Sequence, residues 1–213
     1  MGAAGSDMLE GDMDQEHFRE AMGEYYDEEE FQALANDEGK IDKQKLLDMS
    51  AKTDSFLTHD WGTDELGRNN HERVGQINEA LKARGINTWF DSDRMQGNIM
   101  AQMCAGIDNT NCFVVFITQN YIEKVGGANA ADNCKKEFNY AERRLTGQSM
   151  VAVCMEPRCR NPSAWSGPVG MVLGGELYID FADDLSEEDF NAKVEQLVQA
   201  IQSKVAARQA KNA

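Results

Sequence analysis

Side chains suited to binding a polar ligand follow three apolar runs of this sequence. They are hydroxyls, an imidazole, carboxylates and an indole: Thr58, His59, Asp60 and Trp61 after SFL (55–57), Asp91 after INTWF (86–90), and Thr118 after CFVVFI (112–117). A further carboxylate, Glu137, lies in the helical pattern DNCKKEFNYAERRL. Such groups can hold the hydroxyls of a ligand, and a carboxylate can stabilise a positive charge that develops during a reaction.

Other familiar site chemistries lack the residues they need. Cys154 and Cys159 have no His nearby, so the sequence predicts no zinc site and no other metal site. His59 has no Ser or Cys at a spacing that would indicate a hydrolase pair. The Gly-rich stretch GPVGMVLGG (167–175) lacks the strand–turn–helix context of a phosphate-binding loop, and it is predicted to be a mobile loop.

Short apolar runs alternate with helical patterns from residue 53 to residue 209. The predicted strands are 55–60, 86–90, 112–118, 150–155 and 176–180, and the predicted helices are 69–85, 97–107, 132–147 and 186–207. Residues 156–175 hold all three Pro and are predicted to be a long loop. The alternation is typical of an α/β fold and predicts a five-stranded parallel sheet with helices on both faces. Ligand sites in such sheets form at the carboxyl ends of the strands, so the side chains named above are expected at one edge.

The chain as a whole is acidic. It has 37 Asp and Glu against 21 Lys and Arg, a formal net charge of −16, which argues against nucleic-acid binding because that requires a basic face. No apolar run approaches the roughly 18 residues of a membrane span, and the N-terminus lacks the features of a secretory signal. The five Cys are therefore predicted to be reduced thiols in the cytoplasm. Gly2 and Ser6 fit an N-myristoylation pattern, which the acidic residues from Asp7 onward disfavour.

The acidic charge is concentrated in the first 50 residues, which hold 15 acidic and 4 basic side chains. This change in composition predicts three segments. They are a disordered acidic tail at 1–14, a helical extension at 15–50 and a folded domain at 53–209.

The helical extension contains a pattern similar to a calcium-binding EF-hand. Gly39 and Ile41 lie where an EF-hand loop has its glycine and its short strand. With Gly39 as the sixth loop position, Leu34 is the first and Lys45 the twelfth, and a calcium loop needs an acid at both. We therefore interpret the extension as a degenerate EF-hand at most, and we expect no calcium binding. A plain acidic helical extension is the alternative interpretation.

The motifs of the folded domain, in their order and spacing, resemble the Toll/interleukin receptor (TIR) domain family. They are DSFLTHDWG, GINTWFDSDRMQGNI, AGIDNTNCFVVFITQNYIEKV and NCKKEFNYA, and they span about residues 53–180. The resemblance implies a flavodoxin-like fold that is closed by the last helix. It also implies that residues 90–97 form the BB loop, through which TIR domains contact one another. Its expected protein-binding residues are Asp93, Arg94, Met95, Gln96 and Gly97.

The same resemblance implies a role for Glu137. The step from Cys134 to Glu137 matches the family's Trp-Cys-x-x-Glu element, and enzymatic members use that glutamate to cleave NAD+. The residues at the strand ends would then contact the nucleotide, with NAD+ as a substrate and with no bound cofactor. Two positions depart from the family pattern. Asn133 replaces the aromatic residue before the Cys, and Gln96 replaces a Pro that would restrict the φ angle.

Two functions stay open on these grounds. The chain is either a TIR-domain signalling protein that binds itself or other TIR domains through the BB loop, or an NAD+ glycohydrolase that uses Glu137. The glycohydrolase would release nicotinamide and ADP-ribose or cyclic ADP-ribose. In enzymatic members of the family the two functions are linked, because assembly completes the active site. Glu137 also has a plain alternative as a solvated residue on a charged helix beside Lys135 and Lys136.

Overall fold

The computed structural model describes residues 12–22, 26, 28, 31–32, 35–41, 52–90 and 99–212. These residues fall into two compact units. The smaller unit contains the described residues of 12–41 together with 99–105, and the larger one contains 52–90 and 106–212. Leu34 and Lys45, the end positions of the degenerate EF-hand-like loop, lie outside the described residues.

The smaller unit contains a pair of two-residue antiparallel strands. They are β1 (Met13–Asp14) and β2 (Lys40–Ile41), with Met13 opposite Ile41. The helix α1 (Gln15–Met22) follows β1, and its Phe18 packs against Phe31 and Ile41. The helical extension predicted at 15–50 therefore begins with a helix, whereas residues 36–39 form a turn before β2.

Strands and helices alternate along the chain from residue 52 onward. The strands are β3 (Thr53–His59), β4 (Thr88–Trp89), β5 (Thr110–Ile117), β6 (Met150–Cys154) and β7 (Tyr178–Asp180). The helices are α2 (Asn70–Lys82), α3 (Ile99–Asp108), α4 (Gln119–Gly126), α5 (Asn133–Leu145), α6 (Gly167–Leu173) and α7 (Glu187–Asn212). None of the helices that the structure describes is both long and apolar enough to cross a membrane.

The five strands of the larger unit form one parallel sheet in the order β4-β3-β5-β6-β7. This arrangement confirms the predicted five-stranded, flavodoxin-like fold. The chain leaves β3 toward β4 on one side and continues from β5 toward β6 on the other. The switch point of the topology therefore lies between β3 and β5, and ligand crevices of such sheets open outside the carboxyl ends of the strands at this point.

Side chains along β3 and β5 alternate between the two faces of the sheet, because successive side chains of a strand point in opposite directions. Leu57 and Val114 belong to the core under α2 and α7, which is completed by residues such as Ile77, Leu197 and Ile201. The helices α4, α5 and α6 cover the opposite face. On that face the ring of Phe56 stacks on those of Trp89 and Phe113, with centroid distances of 4.1 and 5.3 Å.

The residues that flank α2 set its two ends. The side chain of Asn69 caps its first turn by accepting a hydrogen bond from the backbone N–H of Glu72. After Lys82 the chain turns through Gly85, whose φ of +80° is readily adopted only by glycine. This sharp turn sends the chain directly into β4.

The predicted long loop at 156–175 is wrong, because the segment forms short helices. Two 3-10 turns, Pro157–Cys159 and Pro162–Ala164, precede α6. The indole N–H of Trp165 donates to the carbonyl of Cys159 at 2.8 Å. A Cβ at Gly170 would lie 1.9 Å from the carbonyl oxygen of Trp165, so this approach requires glycine. Pro and Gly thus shape compact turns here.

Candidate functional site

The buried face of α5 carries a carboxylate among apolar side chains. Asp132 caps the helix by accepting a hydrogen bond from the backbone N–H of Lys135. The side chains spaced three and four residues apart then face the sheet, and they are Cys134, Glu137, Phe138, Ala141 and Leu145. Glu137 is only 5% exposed. The alternative that Glu137 is a solvated surface residue is therefore wrong.

A hydroxyl at the end of β3 meets this carboxylate. Thr58, which is 1% exposed, donates a hydrogen bond to Oε2 of Glu137 at 2.6 Å. The phenol oxygen of Tyr121, in the first turn of α4, lies 3.1 Å from the Thr58 hydroxyl. The structure thus brings Thr58 and Glu137 together, and it adds Tyr121, to which the sequence analysis gave no role.

Aromatic rings form a stack on the other face of β3. Nε2 of His59 lies 2.8 Å from Nδ1 of His71, so one ring donates a hydrogen bond and the other accepts it. Burial, together with the electrostatic interaction with His71, lowers the pKa of His59 to about 3, so His59 is neutral at physiological pH. The ring of Trp61 stacks on His71 at 4.1 Å, and that of Phe90 lies 5.1 Å from His71. Trp61 remains 51% exposed, which suits a stacking surface.

Asp60 lies at the same edge of the sheet, but its carboxylate serves the loop that follows β3. It is buried, pairs with the ammonium of Lys124 and accepts a hydrogen bond from the backbone N–H of Gly62 at 3.0 Å. Thr118 likewise has a local structural role, at the start of α4. Its hydroxyl accepts a hydrogen bond from the backbone N–H of Tyr121 at 3.1 Å and so caps α4.

A second buried glutamate, Glu156, follows β6 at this edge. Its carboxylate accepts hydrogen bonds from the backbone N–H groups of Gln119 and Glu65 at 2.5 and 2.8 Å, and from Nε of Arg158 at 2.8 Å. These contacts join the segments that follow β3, β5 and β6. Because two backbone amides and an arginine saturate it, Glu156 has a structural role. Glu137 is then the stronger candidate for chemistry.

The remaining predicted site residues lie outside the described residues. These are Asp91 and the BB-loop positions Asp93, Arg94, Met95, Gln96 and Gly97. Within the described part of the chain, no cluster of three His, Cys, Asp or Glu side chains could hold a metal ion.

A cavity of about 730 Å³ lies away from the predicted site. It is lined by the N-terminal parts of α2 and α7 and by residues that follow β6 and β7, among them Arg73, Met155, Phe181 and Phe190. None of the residues predicted from the sequence lines this cavity.

A comparison with protein families identifies the family of this fold. A family model described as the TIR domain matches residues 58–198, which is more than half of the chain. The chain belongs to the TIR domain family. The matched range begins at Thr58 and includes the whole of α5 with Glu137. A comparison with curated proteins finds no match.

Family membership supports a role in signalling through contacts with other TIR domains. The sheet order and the helices on both faces agree with this assignment. Within the TIR domain, the carboxyl end of β3 contributes both to the Thr58–Glu137 pair and to the aromatic stack around His71. The two groups lie on opposite faces of β3, because Thr58 and His59 are successive residues of one strand.

An ion-pair cluster holds the loop between β3 and α2 of this TIR domain. The carboxylate of Asp64 is completely buried. It accepts hydrogen bonds from Nε of Arg68 at 2.7 Å and from a guanidinium N–H of Arg73 at 2.9 Å. Arg73 also donates to the carbonyls of Met155 and Phe181 at 2.8 and 2.6 Å. The loop that carries Trp61 is thereby tied to the segments after β6 and β7.

This cluster sets the charge state of Asp64. Burial is the largest influence on its pKa and opposes the charged form, but hydrogen bonds from Arg68 and the charge of that guanidinium outweigh it. The pKa of Asp64 is therefore lowered from its ordinary value of 3.8. A carboxyl whose pKa is lowered by folding stabilises the folded state above its unfolded pKa, and this contribution is lost as the pH falls through the folded value.

We predict that Asp64→Asn lowers the free energy of unfolding by about 3 kcal/mol at pH 7, because it removes the buried anion that Arg68 and Arg73 share. Urea denaturation measures this loss, and the difference from wild type should shrink below pH 3.8. Asp184→Asn is the matched control. It removes an ion pair with the same Arg68, but its side chain is 87% exposed, so we expect a loss of less than about 1 kcal/mol. Equal losses in the two variants would contradict the role of the buried pair.

Proposed function

We propose that this chain is a cytoplasmic signalling TIR domain that self-associates through residues 93–97 and cleaves NAD+ with Glu137 when it is assembled. The observation that carries the proposal is the Glu137 carboxylate, which lies on the apolar stripe of α5 and accepts a hydrogen bond from Thr58 at 2.6 Å. Glutamate is rarely retained in such a position unless it is paired or has a function. The five Cys are free thiols, which supports the cytoplasmic location.

The chemistry requires one carboxylate. In NAD+ the bond between C1′ of the ribose and the pyridinium nitrogen breaks, and both electrons of that bond pass to the nitrogen, so nicotinamide leaves as a neutral molecule. The sugar carbon becomes oxocarbenium-like, as in glycoside hydrolysis. Water then adds to C1′ and releases a proton, which gives ADP-ribose. The Glu137 carboxylate stabilises the positive charge on the sugar and holds its hydroxyls. No general acid is needed, because the leaving group is already neutral.

The opposite face of the same strand end adds further support for a nucleotide substrate. The half-exposed ring of Trp61, held against His71 at 4.1 Å, offers a stacking surface for a base. Trp61 thus provides an aromatic side chain at the carboxyl end of β3. Asn133, which replaces the family's aromatic residue, does not. The acidic charge of the chain opposes the binding of an anionic nucleotide only weakly, because exposed charges beyond ~10 Å are screened at physiological salt. Lys135 and Lys136 lie next to Glu137 in the same helix.

A second candidate is a TIR domain that only binds other TIR domains. The observation in its favour is the burial of Glu137, which is 5% exposed and paired with a buried hydroxyl. A carboxylate in this environment can serve to fix α5 on β3 without taking part in a reaction. The two candidate functions predict different rates of NAD+ cleavage for a variant that removes the charge of Glu137 and keeps its shape.

We predict that Glu137→Gln lowers NAD+ consumption by at least about 100-fold, because it removes the negative charge that stabilises the transition state. Gln keeps the volume and an oxygen that can accept the Thr58 hydrogen bond, so we expect the thermal midpoint to fall by no more than about 4 °C. Nicotinamide release, followed by chromatography, measures the rate. Glu142→Gln, on the exposed face of the same helix, is the control and should keep the wild-type rate.

An unchanged rate in Glu137→Gln would remove the catalytic role of this residue. If wild type releases no nicotinamide at high protein concentration and Glu137→Gln mainly lowers stability, the glutamate is structural and the domain is a binding module.

We predict that Arg94→Ala raises the concentration for half-assembly about tenfold, because an arginine at the centre of an interface commonly contributes more than 1 kcal/mol. Gly97→Pro should act in the same direction by fixing the backbone of the loop. Light scattering across a concentration series measures the assembly. Arg143→Ala, which removes an exposed arginine of α5, is the control. Wild-type protein that stays monomeric at high concentration in the presence of NAD+ would contradict the proposal.

A further inference from the structure

Three buried polar side chains from three different elements meet beside β3. They are Thr58 at the end of β3, Tyr121 in the first turn of α4, and Glu137 in α5. Their side chains are shielded from solvent, with exposures of 1%, 0% and 5%. The Thr58 hydroxyl is the centre of the group, at 2.6 Å from Oε2 of Glu137 and 3.1 Å from the phenol oxygen of Tyr121.

The number of hydrogens fixes the direction of these bonds. An ionised carboxylate has no hydrogen and can only accept, so Thr58 uses its single hydroxyl hydrogen toward Glu137. The 3.1 Å contact between Thr58 and Tyr121 must then be donated by the phenol. Burial, which is the largest cause, raises the pKa of the Tyr121 phenol well above its usual value, so the phenol keeps the hydrogen that it donates. The result is a directed chain from Tyr121 through Thr58 to Glu137.

The two ends of this chain are held independently. Tyr121 is fixed at the start of α4, where its backbone N–H donates to the capping hydroxyl of Thr118 at 3.1 Å. The first turn of α5 is held to β3 by the thiol of Cys134, which donates to the carbonyl of His59 at 3.4 Å. Because both helices are anchored, the hydroxyl of Thr58 has one stable orientation, and hydrogen bonds arranged in series strengthen one another.

We propose that Tyr121 is a positioning residue for the Glu137 carboxylate and acts through the hydroxyl of Thr58, an inference that rests on the NAD+ cleavage proposed above. Thr58 is then a support for the carboxylate, in place of the nucleotide contact expected from the sequence. A donor at Oε2 restricts the orientation of the Glu137 carboxylate. Such fixed orientation matters because a small misplacement of a reacting group can cost a large factor in rate.

The test is Tyr121→Phe, which removes one hydroxyl and keeps the ring. We expect kcat for NAD+ to fall about tenfold while KM stays within about twofold, because the substrate does not touch Tyr121. Thr58→Val should lower kcat at least as far, and Thr58→Ser, which keeps the hydroxyl, should restore it to within about threefold of wild type. Tyr140→Phe is the matched control, since it removes a phenol that donates to Asp108 at 2.9 Å away from the chain described above. It should leave kcat unchanged.

A second readout does not depend on turnover. In protein labelled with ¹³C at the Glu side-chain carboxyl, the Glu137 resonance, assigned with Glu137→Gln, should move in Tyr121→Phe and stay in place in Tyr140→Phe. Lower thermal stability in Tyr121→Phe, with kcat and the resonance unchanged, would reduce Tyr121 to a structural role and overturn the inference. Wild type that consumes no NAD+ would overturn the proposed function, and the resonance alone would then decide whether Tyr121 orients the carboxylate.

Discussion

A carboxylate buried in a protein must be paired with hydrogen-bond donors or cations, and this constraint shapes the carboxyl edge of the sheet. Among the residues that the structure describes, four buried carboxylates lie there: Asp60, Asp64, Glu137 and Glu156. Asp64 draws two arginines onto the carbonyls that follow β6 and β7, and Glu156 holds backbone amides of the segments after β3 and β5. These contacts hold in place the segments that follow β3, β5, β6 and β7.

Glu137 differs from the other three in its position. Asp60, Asp64 and Glu156 lie in or beside loops, and their donors include the backbone N–H groups of those loops. Glu137 projects from the middle of a helix face, and a side-chain hydroxyl of β3 donates to it. Together with the exposed indole of Trp61 on the other side of the same strand end, it gives the switch point a carboxylate and an aromatic surface.

Much of this architecture could be predicted because it follows from local patterns. The alternation of apolar strands with helical segments determines the sheet, and Asn69 and Gly85 mark the limits of α2. The burial of Glu137 could also be predicted from the sequence, since Cys134, Glu137, Phe138 and Ala141 have the spacing of one helix face. The helices within 156–175 could not be predicted, because a segment rich in Pro and Gly is typical of loops. Tertiary contacts organise it, such as the hydrogen bond from Trp165 to Cys159. The Asp64 cluster was beyond local patterns, since Arg73 meets carbonyls 82 and 108 residues away.

The central claim is that assembled TIR domains cleave NAD+ with Glu137. The most direct measurement is the rate of nicotinamide release per chain across a protein concentration series, with light scattering recorded on the same samples. We expect the rate per chain to rise with the assembled fraction in wild type, and to stay at background in Glu137→Gln at every concentration. A rate per chain that does not change with assembly, or assembled wild-type protein that releases no nicotinamide, would contradict the account.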